Sequence, residues 1–198
     1  MPDLSIRLFA AVPLPDGLKQ SVADWRGRFD KKLPFRKWVN PADLHITLQF
    51  LGSTPESRMP DIRQAIEEAA DGFAPFELTV GPLGIFGRPG SPSILWAGIG
   101  GETEALGSLQ RRTAGALAPL GFKPDERPFH PHLTLARNYV GKEPLIKEKL
   151  AEFGAPGEGG PLRWTAADIA LYVSHLDRKP PLPMYEAAAT LPLRQQRA

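Results

Sequence analysis

Two pairs of residues in this sequence share one frame, in which a threonine follows a histidine by two positions. They are His45 and Thr47 in the segment LHITLQFLG, and His132 and Thr134 in the segment PHLTLARN. The chain has only four histidines, so chance explains this repeated His-aliphatic-Thr-Leu frame poorly. An imidazole can give or take a proton near neutral pH, and a hydroxyl can donate a hydrogen bond to an oxygen that gains charge.

Three kinds of chemistry could use two such pairs. A catalytic metal site needs a third protein ligand, and only Asp43 shares the strand parity of His45, as a ligand or as a group that orients the ring. Nucleophilic catalysis lacks a nucleophile-elbow pattern around a serine, and the chain has no cysteine. Paired acid and base catalysis needs nothing that is absent. One neutral imidazole would take a proton from water while one imidazolium protonates a leaving oxygen.

Both motifs are predicted to be strands, in which successive side chains point to opposite faces. In the first motif this alternation predicts two sets, with His45, Thr47 and Gln49 on one face and Ile46, Leu48 and Phe50 on the other. In the second motif His132 and Thr134 share a face, opposite Leu133 and Leu135. Arg137 falls on the apolar parity, so it can serve the site only if the strand ends or bulges near Ala136.

The elements that must position these residues alternate along the chain. Strands are predicted over residues 4–12, 44–51, 76–81, 93–99, 132–137, 168–175 and 185–191. Helices are predicted over residues 15–29, 55–71, 102–118 and 144–153, and a Gly/Pro-rich loop is expected between the third and fourth strands. Each motif strand precedes a helix. This order predicts an α+β protein with two similar lobes, each contributing one motif strand.

Composition limits the class of protein. The 198 residues are 42% hydrophobic and suffice for one domain, over residues 1–198, made of two intertwined lobes. A net charge of +2 does not favour a protein that coats nucleic acid with an all-over cationic surface. No apolar run is long enough to span a membrane, no secretory signal is present and cysteine is lacking, so we expect a cytoplasmic protein with no membrane partner.

The paired motifs, residues 45–48 and 132–135, resemble those of the two-histidine (2H) phosphoesterases. The segments RLFAAVPLP, WVNPADLHITLQFLG, ILWAGI and RPFHPHLTLAR resemble, in the same order, those of the RNA 2′,3′-cyclic phosphodiesterase (2′-5′ RNA ligase-like) branch. The resemblance implies a bilobal fold with two pseudosymmetric lobes, antiparallel sheets flanked by helices and a central cleft. It also implies that neither a metal nor another cofactor is required.

The resemblance further implies which residues act. His45 would be the proton donor and His132 the proton acceptor, with Thr47 and Thr134 binding phosphate and Arg137 contacting substrate. The expected reaction is hydrolysis of an RNA terminal 2′,3′-cyclic phosphate to a 2′-phosphate by a monomer. The partner would be RNA or an oligonucleotide with that end, including tRNA fragments or mononucleotides.

Some features leave alternatives open. The family often has arginine before the tryptophan and lysine after the first motif, where this chain has Lys37 and Gln49. A cation lost from the face of His45 would weaken phosphate binding or shift substrate preference. The same motifs also fit 2′-5′ RNA ligation, hydrolysis of another cyclic nucleotide, or a noncatalytic RNA- or nucleotide-binding module. Phe9 and Trp38 are expected in the core, and His130 at the rim of the site.

Overall fold

The computed structural model describes residues 4–157, 160–178 and 181–195. The strands in these ranges are β1 (Ser5–Pro13), β2 (Phe35–Trp38), β3 (His45–Pro55), β4 (Phe76–Arg88), β5 (Ser91–Gly101), β6 (His132–Tyr139), β7 (Arg163–Ala166), β8 (Asp168–Ser174) and β9 (Tyr185–Pro192). The α-helices are α1 (Asp16–Arg26), α2 (Met59–Ala70), α3 (Thr103–Leu117) and α4 (Lys147–Ala151). None of these helices is long and apolar enough to cross a membrane.

The strands form two sheets in which every pair of neighbours is antiparallel. One sheet has the order β3-β1-β8-β9, and the other has the order β2-β6-β5-β4-β7. In each sheet the motif strand lies beside the strand that precedes it by one helix, since β1, α1 and β3 correspond to β5, α3 and β6. The predicted combination of antiparallel sheets and helices is confirmed.

The chain passes between the two sheets several times. The strand β2 lies between β1 and β3 in sequence but joins the second sheet, and β8 and β9 return to the first sheet. The motif strand β3 is an edge strand of its sheet, whereas β6 is flanked on both sides. The two motif strands also contact each other, so the edge of the first sheet adjoins the second sheet.

One core cluster runs through both sheets and the helices between them. The aliphatic faces of the motif strands belong to it, with Ile46 and Leu133 fully buried. Helices α2 and α3 pack against each other, and their predicted apolar stripes are buried at Ile62, Leu106 and Leu109. Because the aliphatic face of each motif strand is fixed in the core, the opposite face, which carries the histidine and the threonine, is turned to the cleft.

The region between the third and fourth predicted strands differs from the expectation of a loop. The strands β4 and β5 extend through the Gly/Pro-rich segment and pair as one long antiparallel hairpin. Gly84 pairs with Trp96, and a Cβ at Gly84 would overlap the indole ring. The glycine thus makes room for a large side chain across the strand and does not mark a loop. The short strands β2 and β7 were not predicted.

Candidate active site

The turn before β3 fixes His45. The turn is a short 3-10 helix, Pro41–Asp43, whose first amide, Ala42 N, donates to Asn40 Oδ1 at 3.0 Å. The Asp43 side chain is 5% exposed and accepts from the backbone amides of Met184 and Tyr185 at 2.9 and 3.0 Å. Its carboxylate therefore ties the turn to β9. The two roles predicted for this side chain, metal ligand or orienting group of the ring, are not what the structure shows.

The backbone of Asp43 orients the His45 ring instead. His45 Nδ1 lies 2.7 Å from the backbone oxygen of Asp43. A carbonyl oxygen only accepts, so Nδ1 carries the ring proton of the neutral imidazole and donates it. The other nitrogen, Nε2, lies 3.0 Å from Thr47 Oγ1, and the hydroxyl donates to the neutral ring. Nε2 is thus the nitrogen available for proton transfer.

The second motif repeats the contact of the histidine Nδ1 with a backbone carbonyl. His132 Nδ1 donates to the backbone oxygen of His130 at 2.7 Å, again two residues earlier in the chain. The His132 ring packs edge-on against Phe86, with centroids 5.1 Å apart, and lies 6.2 Å from the Trp96 ring. His130 itself is exposed, in agreement with its predicted place at the rim.

A β-bulge lies in each motif strand, one residue after the threonine. On β3 the register with β1 shifts so that Leu48 has no partner, and on β6 the register with β5 skips Leu135. Each bulge places two consecutive residues in the core, because the extra residue reverses the alternation. Ala136 is fully buried behind Leu135, and Arg137 turns to the face of His132. The condition predicted for Arg137 to reach the site is therefore met.

The bulge in β3 contradicts the predicted faces of Gln49 and Phe50. Gln49 is 5% exposed, and its amide nitrogen donates to the backbone oxygens of Phe122 and Lys123 at 3.2 and 3.3 Å. It therefore does not share the face of His45. Phe50 is 68% exposed and lies beside Phe9, with ring centroids 6.0 Å apart.

One pocket gathers residues from both sheets. It is lined by Val39, Asp43, His45, Thr134, Arg137 and Tyr185. His45 thus meets a threonine and an arginine of the other motif strand, and Arg137 acts against the rise in the pKa of Tyr185 that burial causes. Lys37 stands directly opposite Arg137 in the β2–β6 ladder. Two like charges in register repel, which favours an anion between or beside them.

Burial lowers the pKa of both histidines. The pKa of His45 falls to about 4, chiefly because the ring is desolvated, and the positive charges of Arg137 and His132 add to the decrease. Its hydrogen bond to the Asp43 carbonyl acts in the opposite direction. Desolvation also lowers the pKa of His132, with smaller decreases from His130 and Arg137. Both rings are therefore neutral near pH 7 in the free protein. A bound anion beside either ring would favour its charged form.

Further aromatic and titratable side chains lie outside this pocket. Phe9 is 3% exposed, stacks on Tyr172 and lies 4.7 Å from the His45 ring, so it backs the histidine. Trp38 is partly buried against the core, and His175 pairs with Glu186 at 3.1 Å. Within the described ranges, no three side chains of His, Asp or Glu are grouped so that they could hold a metal ion.

The chain is similar to known proteins over most of its length. The family model of the 2′-5′ RNA ligase superfamily matches residues 14–178. An RNA 2′,3′-cyclic phosphodiesterase of Geobacillus stearothermophilus is 38% identical over 93% of this chain, which spans 56% of that longer relative. A protein of the same name from Bacillus subtilis is 31% identical over 91% of this chain and 94% of its own length.

Two solved structures share the fold over nearly the whole chain. The protein TT0787 of Thermus thermophilus superimposes with a TM-score of 0.75 and 28% identity, covering 97% of this chain and all of that one. Escherichia coli LigT complexed with 3′-AMP gives a TM-score of 0.73 and 25% identity, with the same coverage. These similarities confirm the predicted bilobal α+β architecture.

Proposed function

Because the chain belongs to the 2′-5′ RNA ligase superfamily, we propose that it hydrolyses the terminal 2′,3′-cyclic phosphate of RNA to a 2′-phosphate. The names of the Geobacillus and Bacillus relatives support this reaction. The observation that carries the proposal is the pair of histidines whose Nδ1 atoms are each held by a backbone carbonyl. Each ring then offers Nε2 on the cleft face of its strand, which suits displacement at a phosphorus atom lying between the two motifs.

The mechanism divides proton transfer between the two rings. Neutral His132 accepts a proton from the attacking water at Nε2, while charged His45 gives its Nε2 proton to O3′ as the P–O3′ bond breaks. The hydroxyls of Thr47 and Thr134 donate hydrogen bonds to the phosphoryl oxygens that gain charge. The bound phosphodiester anion raises the pKa of His45 above its value in the free protein, and this supplies the proton that the acid needs.

Two further side chains contact the substrate in this proposal. Arg137 binds the phosphate or ribose through its guanidinium, because it lines the same pocket as His45 and Thr134. The exposed ring of Phe50 offers the terminal base a face on which to stack. No metal takes part, so activity should survive chelation by EDTA.

The test of the reaction is product identity on a defined substrate. An oligonucleotide that ends in a 2′,3′-cyclic phosphate should give the 2′-phosphate, identified by phosphorus NMR and by its resistance to a 3′-specific phosphatase. A 3′-phosphate product would contradict the assignment of O3′ as the leaving group. The activity would be ligation if a product forms only when a second RNA with a free 5′-hydroxyl is present and the two RNAs are joined through a 2′-5′ bond.

Substitutions test the role of each histidine. His45→Ala and His132→Ala should each lose at least ~10²-fold in kcat, as expected for removal of a general acid or base. Both variants should stay folded, because the core face of each strand is unchanged, and Thr47→Ala and Thr134→Ala should lose less. A substrate with sulfur in place of O3′ needs little protonation of its leaving group. It should restore His45→Ala and leave His132→Ala inactive, whereas the reverse pattern would exchange the two roles.

The cellular setting follows the same proposal. The protein acts as a monomer in the cytoplasm on RNA ends, on tRNA fragments or on cyclic mononucleotides. Size-exclusion chromatography with light scattering measures the oligomeric state, and a dimer that is required for activity would contradict this part of the proposal.

A further inference from the structure

A second cavity, of about 500 Å³, lies next to His132 and outside the pocket that contains His45. The end of β5, one face of α3 and the segment 129–131 enclose it. Gly98, which lines the cavity, is the cross-strand partner of His132, and His130 and Pro131 directly precede that histidine. The cavity therefore lies beside the start of the motif strand β6. Its volume is in the range of sites that hold a nucleotide-sized molecule.

The lining of this cavity combines a cation with apolar walls. Arg111 is exposed, and its guanidinium donates to the neutral Ser108 Oγ at 2.9 Å. In the part of the chain that the structure describes, no carboxylate lines the cavity or pairs with Arg111. Phe129 and Ile99 supply a ring and an aliphatic wall. A guanidinium that pairs with no carboxylate of the described residues, beside such walls, suits a phosphate joined to a planar base.

Gly107 keeps the floor of the cavity open. Thr103, Gly107 and Arg111 follow one another at intervals of four residues, so they share one face of α3. Glycine is unfavourable inside a helix compared with alanine. A Cβ here would meet only the Arg111 guanidinium, at 3.4 Å, so a side chain fits at this position but would project into the cavity.

We infer that this cavity binds the penultimate nucleotide of the substrate, on the 5′ side of the nucleotide that carries the cyclic phosphate. This inference rests on the proposed function. The two histidine-threonine pairs and Arg137 engage the cyclic phosphate, which is the only anionic group of a cyclic mononucleotide. Arg111 is a further cation without a carboxylate partner and calls for a second phosphate, which an oligonucleotide supplies as its last internucleotide linkage. The base of that nucleotide then packs against Phe129 and Ile99.

The experiment compares adenosine 2′,3′-cyclic phosphate with the dinucleotide ApA that ends in the same cyclic phosphate. The wild-type protein should show kcat/KM at least ~10-fold higher on the dinucleotide, with the difference in KM, as one added phosphate contact and one stacked base predict. Gly107→Leu places a bulky side chain in the cavity and should abolish this preference while leaving turnover of the mononucleotide unchanged. Arg111→Met should weaken the preference. It should also reduce the slope of log KM against log salt concentration for the dinucleotide by about 0.7, because one phosphate contact is lost.

Matched controls lie on the same helix and on its neighbour. Gly115 on α3 is exposed with no atom within 4 Å of an added Cβ, so Gly115→Leu makes the same substitution away from the cavity. Arg63 on α2 is exposed, so Arg63→Met removes the same charge elsewhere. Both controls should keep the preference for the dinucleotide. Thermal unfolding should show that Gly107→Leu is as stable as Gly115→Leu, since leucine favours helix over glycine.

Three results would overturn the inference. They are equal turnover of both substrates by the wild-type protein, a preference that survives in Gly107→Leu, and an equal loss on both substrates in that variant. If neither substrate reacts, the proposed function fails separately. Calorimetric binding of the mononucleotide and dinucleotide 2′-phosphates then tests the cavity without turnover. Tighter binding of the dinucleotide to Gly115→Leu than to Gly107→Leu supports the subsite, and equal affinities reject it.

Discussion

The proton on His45 links the structure of the site to its pH dependence. In the free protein the pKa of His45 is about 4 and that of His132 lies below 6.5. As pH rises, His132 loses its proton and becomes a base, which raises kcat/KM, whereas loss of the proton from His45 removes the acid and lowers it. Because both pKa values are lowered, we expect a bell-shaped profile of kcat/KM with its optimum on the acidic side of neutrality. A flat profile from pH 5 to pH 9 would contradict paired acid and base catalysis.

The charge of Arg137 allows this profile to be shifted. Its positive charge lowers the pKa of both His45 and His132, so Arg137→Met should move both inflections of kcat/KM to higher pH. Lys142→Met removes the same charge at an exposed position and should leave both inflections unchanged. The profile of kcat reports the enzyme–substrate complex, in which the substrate anion raises the pKa of a nearby histidine. The inflections of kcat should therefore lie at higher pH than those of kcat/KM.

Residue types and spacing predicted the two histidine-threonine pairs but not what holds them. The two-residue period of a strand is enough to place His45 beside Thr47 on one face. The backbone carbonyls that fix each Nδ1 come from the residues just before each strand, and the conformation of those residues does not follow from side-chain alternation. The carboxylate of Asp43 likewise binds amides of β9, a contact between distant parts of the chain that local patterns do not contain.

At the scale of the elements, one inserted residue decides which side chains reach the cleft. The bulges at Leu48 and Leu135 bring Phe50 and Arg137 onto the cleft face and bury Gln49. Strict alternation placed Gln49 and Phe50 wrongly because a bulge depends on pairing with a neighbouring strand, which the sequence of one strand does not reveal. For Arg137, a bulge near Ala136 was predicted only as the condition under which its side chain could reach the site.

The β4–β5 hairpin carries a prediction at this scale. Gly84→Ala places a methyl group on the Trp96 ring, so the indole must shift, and we expect the free energy of unfolding to fall by about 1–3 kcal/mol. Trp96 lies near the His132 ring, so kcat should fall as well. Gly81→Ala is the control, because its Cβ would meet Gly98 at an ordinary 3.4 Å. Urea unfolding measures both, and equal stabilities would show that Gly84 is not required for the packing of Trp96.

At the scale of the whole molecule, the path of the chain prevents either sheet from forming alone. The first sheet takes strands from both ends of the described chain, and the second takes β2 from within the first half. The core is one cluster with members from both sheets, such as Ile46 and Leu133. We therefore predict a single cooperative unfolding transition, with coincident urea midpoints by far-UV circular dichroism and tryptophan fluorescence. Two separate midpoints would mean that the lobes unfold independently. A chain that ends at Ala167 lacks β8, which pairs with β1, and β9, which pairs with β8, and it should fail to fold although its second sheet is complete.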